Sequence, residues 1–321
     1  MRKVYIVHSL YSLFLILCSE NIDVKNDIII ISKDDFSLEI LNRLKKHFKV
    51  FVLFEPKNKV VKFINYYIYL RYKLKRFLGK EYKIIMSCDH RLIGQFFIKN
   101  KKEYELYEEG TATIANSGIS NIKIRNILGF NKYNFGRSIY CKKVYLTLTT
   151  DVIDIKDKVV KLDMLNIWKN MLEDKKNKII DIFMGDFNDK ILEKGKYLLL
   201  TQPLSEDKII SEKEKIELYG KIIEKYDKNL LILKTHPREK TKYNLYFKDI
   251  IIMDNNFPIE ILFLLSSSNL QKVITIFSSS VINLNRYNKD LIVDYYGTEI
   301  HPKILEKFGT MDEIMKRTAF L

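Results

Sequence analysis

Leu230-Leu231-Ile232-Leu233-Lys234-Thr235-His236-Pro237-Arg238 is the stretch whose reading decides the fold. A four-residue apolar run bounded by polar residues reads as a buried strand. It delivers Lys234 and His236 at its carboxyl end, where open α/β sheets keep their ligand crevices. Two further runs end the same way. Residues 104–107 lead into Glu108-Glu109-Gly110-Thr111, and residues 273–277 lead into Ser278-Ser279-Ser280.

Outward from that stretch, strand and helix patterns alternate. In the first half, strands are predicted at 3–7, 27–31, 50–54, 82–86, 104–107 and 144–148, with helices at 10–19, 37–47, 60–78 and 121–128. In the second half, strands fall at 179–183, 197–201, 230–233, 250–253, 273–277 and 291–295, and helices at 212–225, 258–265, 281–288 and 300–308. This alternation specifies parallel, doubly wound sheets. The charge-dense stretch 151–177 is the expected crossover, although 164–171 has helical spacing. The fold class is therefore α/β, GT-B type, with two Rossmann-like domains (1–155 and 156–321) facing a central cleft.

Composition narrows the function. Hydrophobic residues at 47% and charged residues at 30% exclude global disorder. The formal charge of +15 suits nucleic acid, anionic lipid or nucleotide-linked substrates, but lysine is spread along the whole chain. Cys18, Cys88 and Cys141 lack C-x-x-C spacing, so no disulfide framework or zinc site is expected, in keeping with a reducing cytosol. The opening residues 1–18 resemble a signal peptide, but His8 interrupts the apolar region and bulky Leu17 precedes Cys18. No apolar run reaches the ~18 residues needed to cross a bilayer. Aromatics and cations interleave in 60–78, as on a membrane-surface face, although snorkelling lysines over a core give the same pattern.

Several chemistries lose their anchor. After the first strand stands His8-Ser9-Leu10, not G-x-G-x-x-G, and no P-loop is present. No D-x-D triplet offers carboxylates for a divalent metal on a nucleotide diphosphate. What remains is the three strand-end clusters. A carboxylate of Glu108 or Glu109 could act as general base beside Gly110, although acids also adjoin in ordinary surface turns. His236, followed by Pro237 and flanked by Lys234 and Arg238, suits a phosphate; His301-Pro302 is a weaker rival. Ser278, Ser279 and Ser280 could cradle an anion or simply cap a helix.

In order, the acidic pair with Gly110, the His236-Pro237 pair and the serine element resemble the motif set of bacterial sialyltransferases, and most resemble glycosyltransferase family 52, the lipooligosaccharide and capsule sialyltransferases. Thr201-Gln202-Pro203-Leu204 also resembles that family, and the likeness runs from the opening strand to about residue 300. It implies an inverting transfer of sialic acid from CMP-sialic acid to a galactose-type hydroxyl, with no metal and no cofactor. It implies Glu108 or Glu109 as base, with Asp207 or Glu214 as the alternative, and His236 as donor to the leaving phosphate. Gly110, Gln202, Lys234, Pro237 and Ser278 to Ser280 would bind the CMP-sugar, with Glu260 on its ribose. The first domain would take the acceptor and the second the CMP-sugar. The expected setting is cytoplasmic, with peripheral contact at the inner face of the membrane and a homodimer both left open. The rivals are a GT-B enzyme using another nucleotide sugar and a basic nucleic-acid-binding protein.

Overall fold

The first sheet is built on Arg2–Val7 (β1), Ile28–Ser32 (β2), Val50–Leu53 (β3), Tyr82–Met86 (β4), Tyr104–Tyr107 (β5), Cys141–Leu146 (β6) and Val159–Lys161 (β7). Its order is β3-β2-β1-β4-β5-β6-β7, and every neighbouring pair is parallel. Val4 to Val7 and Ile28 to Ile31 are wholly buried, which is why these strands read as continuous apolar runs rather than alternating ones. This description comes from a computed structural model, which describes residues 1–53, 61, 78, 81–109, 113, 134–147, 153–185, 195–253, 257–265, 269–278, 281, 284, 287–288 and 290–313.

Leu10–Ser19 (α1) starts where Ser9 Oγ accepts the Ser12 N–H at 3.1 Å, and Leu38–His47 (α2) where Ser37 Oγ accepts the Ile40 N–H. Leu92–Lys99 (α3) follows β4. Met164–Lys169 (α4) and Glu173–Phe183 (α5) pack against α1, and α5 also against α2. Phe14 meets Phe183 edge to face at 5.9 Å, and Lys175 Nζ donates to the carbonyls of Cys18 and Glu20 at 2.9 Å each.

These contacts correct two expectations. Residues 179–183 form the last turn of α5, not a strand: Ile179, Ile182 and Phe183 are buried at helical spacing, and a short apolar run alone cannot separate the two periods. The division between units falls after Gly185, not at 155/156. The stretch 151–177 is accordingly no crossover, since β7 pairs with β6 and α4 and α5 cover α1. The expected helices at 60–78 and 121–128 lie largely or wholly outside the described residues, as does half of the one at 281–288.

The second unit carries Tyr197–Leu200 (β8), Glu212–Ile223 (α6), Leu231–Lys234 (β9), Ile251–Met253 (β10), Glu260–Leu265 (α7), Lys272–Thr275 (β11), Ile292–Tyr295 (β12) and Pro302–Phe308 (α8). The sheet order is β10-β9-β8-β11-β12, again all parallel. Leu199, Leu218, Tyr219, Ile222, Leu233, Ile274 and Ile304 form its core. Numbered within each sheet, both begin 3-2-1-4-5, so each has a switch point beside its first strand, β1/β4 and β8/β11. Among the described residues, no helix is long and apolar enough to cross a membrane.

Candidate active site

At the first switch point, β1 ends in His8, β4 in Ser87 to Arg91, and β5 in Glu108 and Glu109. The loop after β4 is pressed under α3, because a Cβ on Gly94 would stand 2.5 Å from the Cys88 carbonyl oxygen and 2.7 Å from Asp89 Cα. Asp89 is fully buried and structural; it accepts from Tyr104 Oη, Phe135 N and Gly136 N at 2.7 to 2.8 Å. Burial nonetheless raises its pKa.

The two adjacent acids part company here. Glu108 is 1% exposed; its Oε1 accepts from Tyr11 Oη at 2.8 Å and from Thr147 Oγ1, which ties α1 to the β6 end. Glu109 is half-buried, and burial raises its pKa against the opposing pull of Arg91, His8 and the Cys88 thiol. A carboxyl raised in this way is better matched to proton abstraction near neutrality than an ordinary surface acid.

Around Glu109 stands a second rank that sequence reasoning missed. His8 Nδ1 lies 2.7 Å from Asp35 Oδ2, and since a carboxylate only accepts, Nδ1 carries the hydrogen. Arg91 Nη1 donates to both Asp35 oxygens at 3.0 and 3.1 Å. His8 Nε2 is buried without a hydrogen-bond partner among the described residues. The signal was available in part: His8 follows the first strand, at the switch point. Cys88, His90 and Glu109 also bring thiol, imidazole and carboxylate atoms within 4.8 Å of one another, although the cysteine spacing gave no hint of it.

In the second unit, β9 ends in the turn His236-Pro237-Arg238-Glu239, closed by the Glu239 N–H to the His236 carbonyl at 2.9 Å. Pro237 occupies the second turn position, where its fixed φ costs nothing. Glu239 is buried; its Oε2 accepts the His236 N–H at 2.6 Å and Thr201 Oγ1, while its Oε1 accepts Tyr243 Oη at 2.7 Å and Lys215 Nζ at 3.2 Å. Lys215, wholly buried on α6, also donates to Glu206 Oε2 at 2.8 Å. Burial works against the charge on Glu206, yet Lys215 and the Lys240 N–H bring its pKa down to about 2. Lys215 shares a helical face with Leu218, Tyr219 and Ile222, so its place on an apolar stripe was the legible sign of a buried cation.

His236 itself is defined by this frame. Its Nδ1 accepts the Arg238 N–H at 3.1 Å, which leaves the neutral ring's hydrogen on Nε2 as a donor. Burial, then Arg238 and Lys234, push its pKa down to about 4. Arg238 is clamped to Asp207 by two bonds of 2.5 and 3.0 Å, and Lys234 Nζ lies 4.3 Å from the centre of the Phe257 ring.

The other expected residues fall as follows. Gln202, at the end of β8, gives its N–H to Tyr219 Oη at 2.8 Å, and its buried Oε1 has no partner among the described residues. Ser278 follows β11 across the same switch point, its N–H donating to Thr275 Oγ1 at 3.1 Å. Glu260 is buried at the first position of α7. Gly110, Ser279 and Ser280 lie outside the described residues. Both alternative bases are engaged elsewhere: Asp207 by Arg238, and Glu214 by Lys303, which with Ser211 brings it to about 2 in a capping box. His301 caps α8, its Nδ1 accepting the Lys303 N–H.

Residues 13–304 match the family described as glycosyltransferase family 52. An uncharacterised protein of Haemophilus influenzae is 36% identical over 241 residues, 74% of this chain and 76% of the relative. A Photobacterium 2,6-sialyltransferase, solved with donor product CMP and acceptor substrate lactose, is similar over 100% of this chain and 76% of its own, with a TM-score of 0.63 at 13% identity. The Photobacterium damsela sialyltransferase aligns over 100% and 79% with a TM-score of 0.56 at 12% identity. The UDP-GlcNAc 2-epimerase of Neisseria meningitidis, bound to UDP-GlcNAc, aligns over 100% and 93% with a TM-score of 0.53 at 12% identity. At such identities the likeness speaks for the fold, which is GT-B.

Proposed function

This chain belongs to glycosyltransferase family 52 and is a glycosyltransferase, and from that premise we propose that it moves sialic acid from CMP-sialic acid to a galactose-type hydroxyl of a surface glycan, lipooligosaccharide or capsule. The transfer inverts the anomeric centre and uses no metal; the absence of D-x-D supports this. The observation that carries the reading is His236, a neutral imidazole whose Nδ1 is occupied by a backbone N–H, so that Nε2–H is a fixed donor for a departing phosphate. The Photobacterium enzyme that holds CMP and lactose supports the classes of donor and acceptor.

Each unit then has its task. In the first, the acceptor side, Glu109 takes the proton of the acceptor hydroxyl as its oxygen bonds to the sialic acid carbon; Glu108 holds the strand end to α1. In the second, the bond from that carbon to the phosphate breaks, and His236 Nε2–H donates to the oxygen that leaves with CMP. Charge gathers on that phosphate, so donors positioned in advance contribute most. Ser278, Ser279 and Ser280 supply hydroxyls, Lys234 a positive charge, Glu260 a partner for the ribose, and Gln202 Oε1 an acceptor for a ligand N–H or O–H.

The test is release of CMP from CMP-sialic acid in the presence of lactose, with and without EDTA. Turnover that survives EDTA is expected. Binding of UDP-sugars in preference to CMP-sialic acid would replace this donor with another within the same fold.

A further inference from the structure

We propose that Cys88, His90 and Glu109 form a binding site for a zinc-type divalent cation, and that its occupancy removes the Glu109 carboxylate from proton transfer; the second half rests on Glu109 being the base. The three donors are a thiol, an imidazole and a carboxylate, the ligand types that zinc takes in sites with one position left for water. Cys88 Sγ lies 3.4 Å from His90 Nδ1 and 3.5 Å from His90 Nε2, and all three donor atoms fall within 4.8 Å of one another. A tetrahedral ion at ~2.0 to 2.3 Å from each donor holds S and N roughly 3.5 Å apart. The sulfur is at that spacing from the ring but stands about equally far from both nitrogens, so binding has to turn the imidazole until one nitrogen aims at the ion and bring the carboxylate onto it.

The elements around the site are suited to hold it. Cys88 is buried beneath α3, whose Gly94 admits the loop backbone at contact distance. His90 packs on Phe135 with ring centres 4.7 Å apart. Glu109 and His90 are only half-buried, which leaves an approach for the ion. Without metal, Cys88 carries its thiol proton beside the Glu109 carboxyl. Binding exchanges that proton for the cation: the S–H bond breaks, a sulfur–metal bond forms, the proton passes to solvent, and the carboxylate becomes a ligand. A carboxylate whose lone pair is given to a metal cannot accept a proton from an acceptor hydroxyl. A cation bound here would therefore stop the reaction.

The experiment titrates the full chain with cobalt(II) in a non-thiol reductant and reads the thiolate-to-cobalt absorption. One equivalent is expected to bind, zinc is expected to displace it, and Cys88→Ser and Cys88→Ala are expected to abolish the band while circular dichroism stays native. His90→Gln should weaken binding at least tenfold, and Cys141→Ser should leave the band intact, because that thiol is buried elsewhere. No band in the wild type, or a band that survives in both Cys88 variants, overturns the site. One equivalent of zinc is expected to slow CMP release at least tenfold, with recovery on adding EDTA. Stoichiometric binding with undiminished turnover overturns the role given to the carboxylate. If the wild type turns over no CMP-sialic acid, the functional reading fails while the cobalt spectrum still decides the site.

Discussion

At the carboxyl edge of the first sheet the Glu109 carboxyl is pushed up, whereas at the edge of the second the His236 imidazole is pushed down to about 4. Opposite shifts share one cause, because burial penalises the charged form of either group. The supports differ. Glu109 is attended by Arg91, His8 and a thiol that pull it back toward ionisation. His236 is held through its backbone and Nδ1 by a turn anchored on Glu239, Lys215 and Glu206. The first edge resists ionising its carboxyl, and the second resists protonating its imidazole.

The most direct way to break this comparison is to remove its two ends. His236→Ala is expected to lower CMP release from CMP-sialic acid about 10²- to 10⁴-fold, the range for a positioned proton donor, with far-UV circular dichroism unchanged. Glu109→Gln should do the same while sparing CMP binding, whereas Glu108→Gln should register mainly as lost stability. Full turnover in His236→Ala would remove the imidazole from the mechanism. Equal effects of the two glutamate changes on turnover would undo the division between them.

The anchoring network comes next. Lys215→Met leaves the buried Glu239 carboxylate without its cation, and breaking one side of a buried pair costs about 3 to 5 kcal/mol. Urea unfolding of the purified chain should show that loss. The matching change in the first unit, Asp89→Asn, should cost less, because Asp89 is satisfied by neutral N–H and O–H donors. Equal losses would mean that Lys215 is no more than a packed side chain.

How far these features were legible follows from their range in sequence. β9 and the His236 turn, and β5 and the acids after it, depend on local periodicity and turn chemistry, so these strands and the motif positions at their ends could be read directly, whereas the order of strands in each sheet could not. The end of the first unit could not: β7 joins β6, and α5 closes on α1, through contacts that residues 151–177 do not announce. The same holds for the site. His236 stood out, but Glu239, which holds it, and the Asp35–His8 pair, joined across 27 residues, only show themselves once strands are placed side by side. Glu108 and Glu109 are adjacent in the chain, and only their placement in the fold separates them: Glu108 is buried against Tyr11 and Thr147, and Glu109 is half-buried.

The smallest effect sharpens the contrast through pH. His236 titrates near 6.5 in an unfolded chain and at about 4 when folded, so the unfolded state takes up its proton first. The stability this group contributes is therefore present above 6.5 and is lost as pH falls through about 4. Glu109 runs the other way: its raised pKa favours the neutral folded form, so its contribution is present below the ordinary carboxylate range and fades as pH rises through the folded value. Unfolding midpoints of wild type and His236→Gln should accordingly converge on acidification, while those of wild type and Glu109→Gln should converge below the carboxylate range and part above it. Parallel curves for the His236 pair would show that the imidazole is solvated like a free one, and the claim of a donor kept neutral by burial would fall with it.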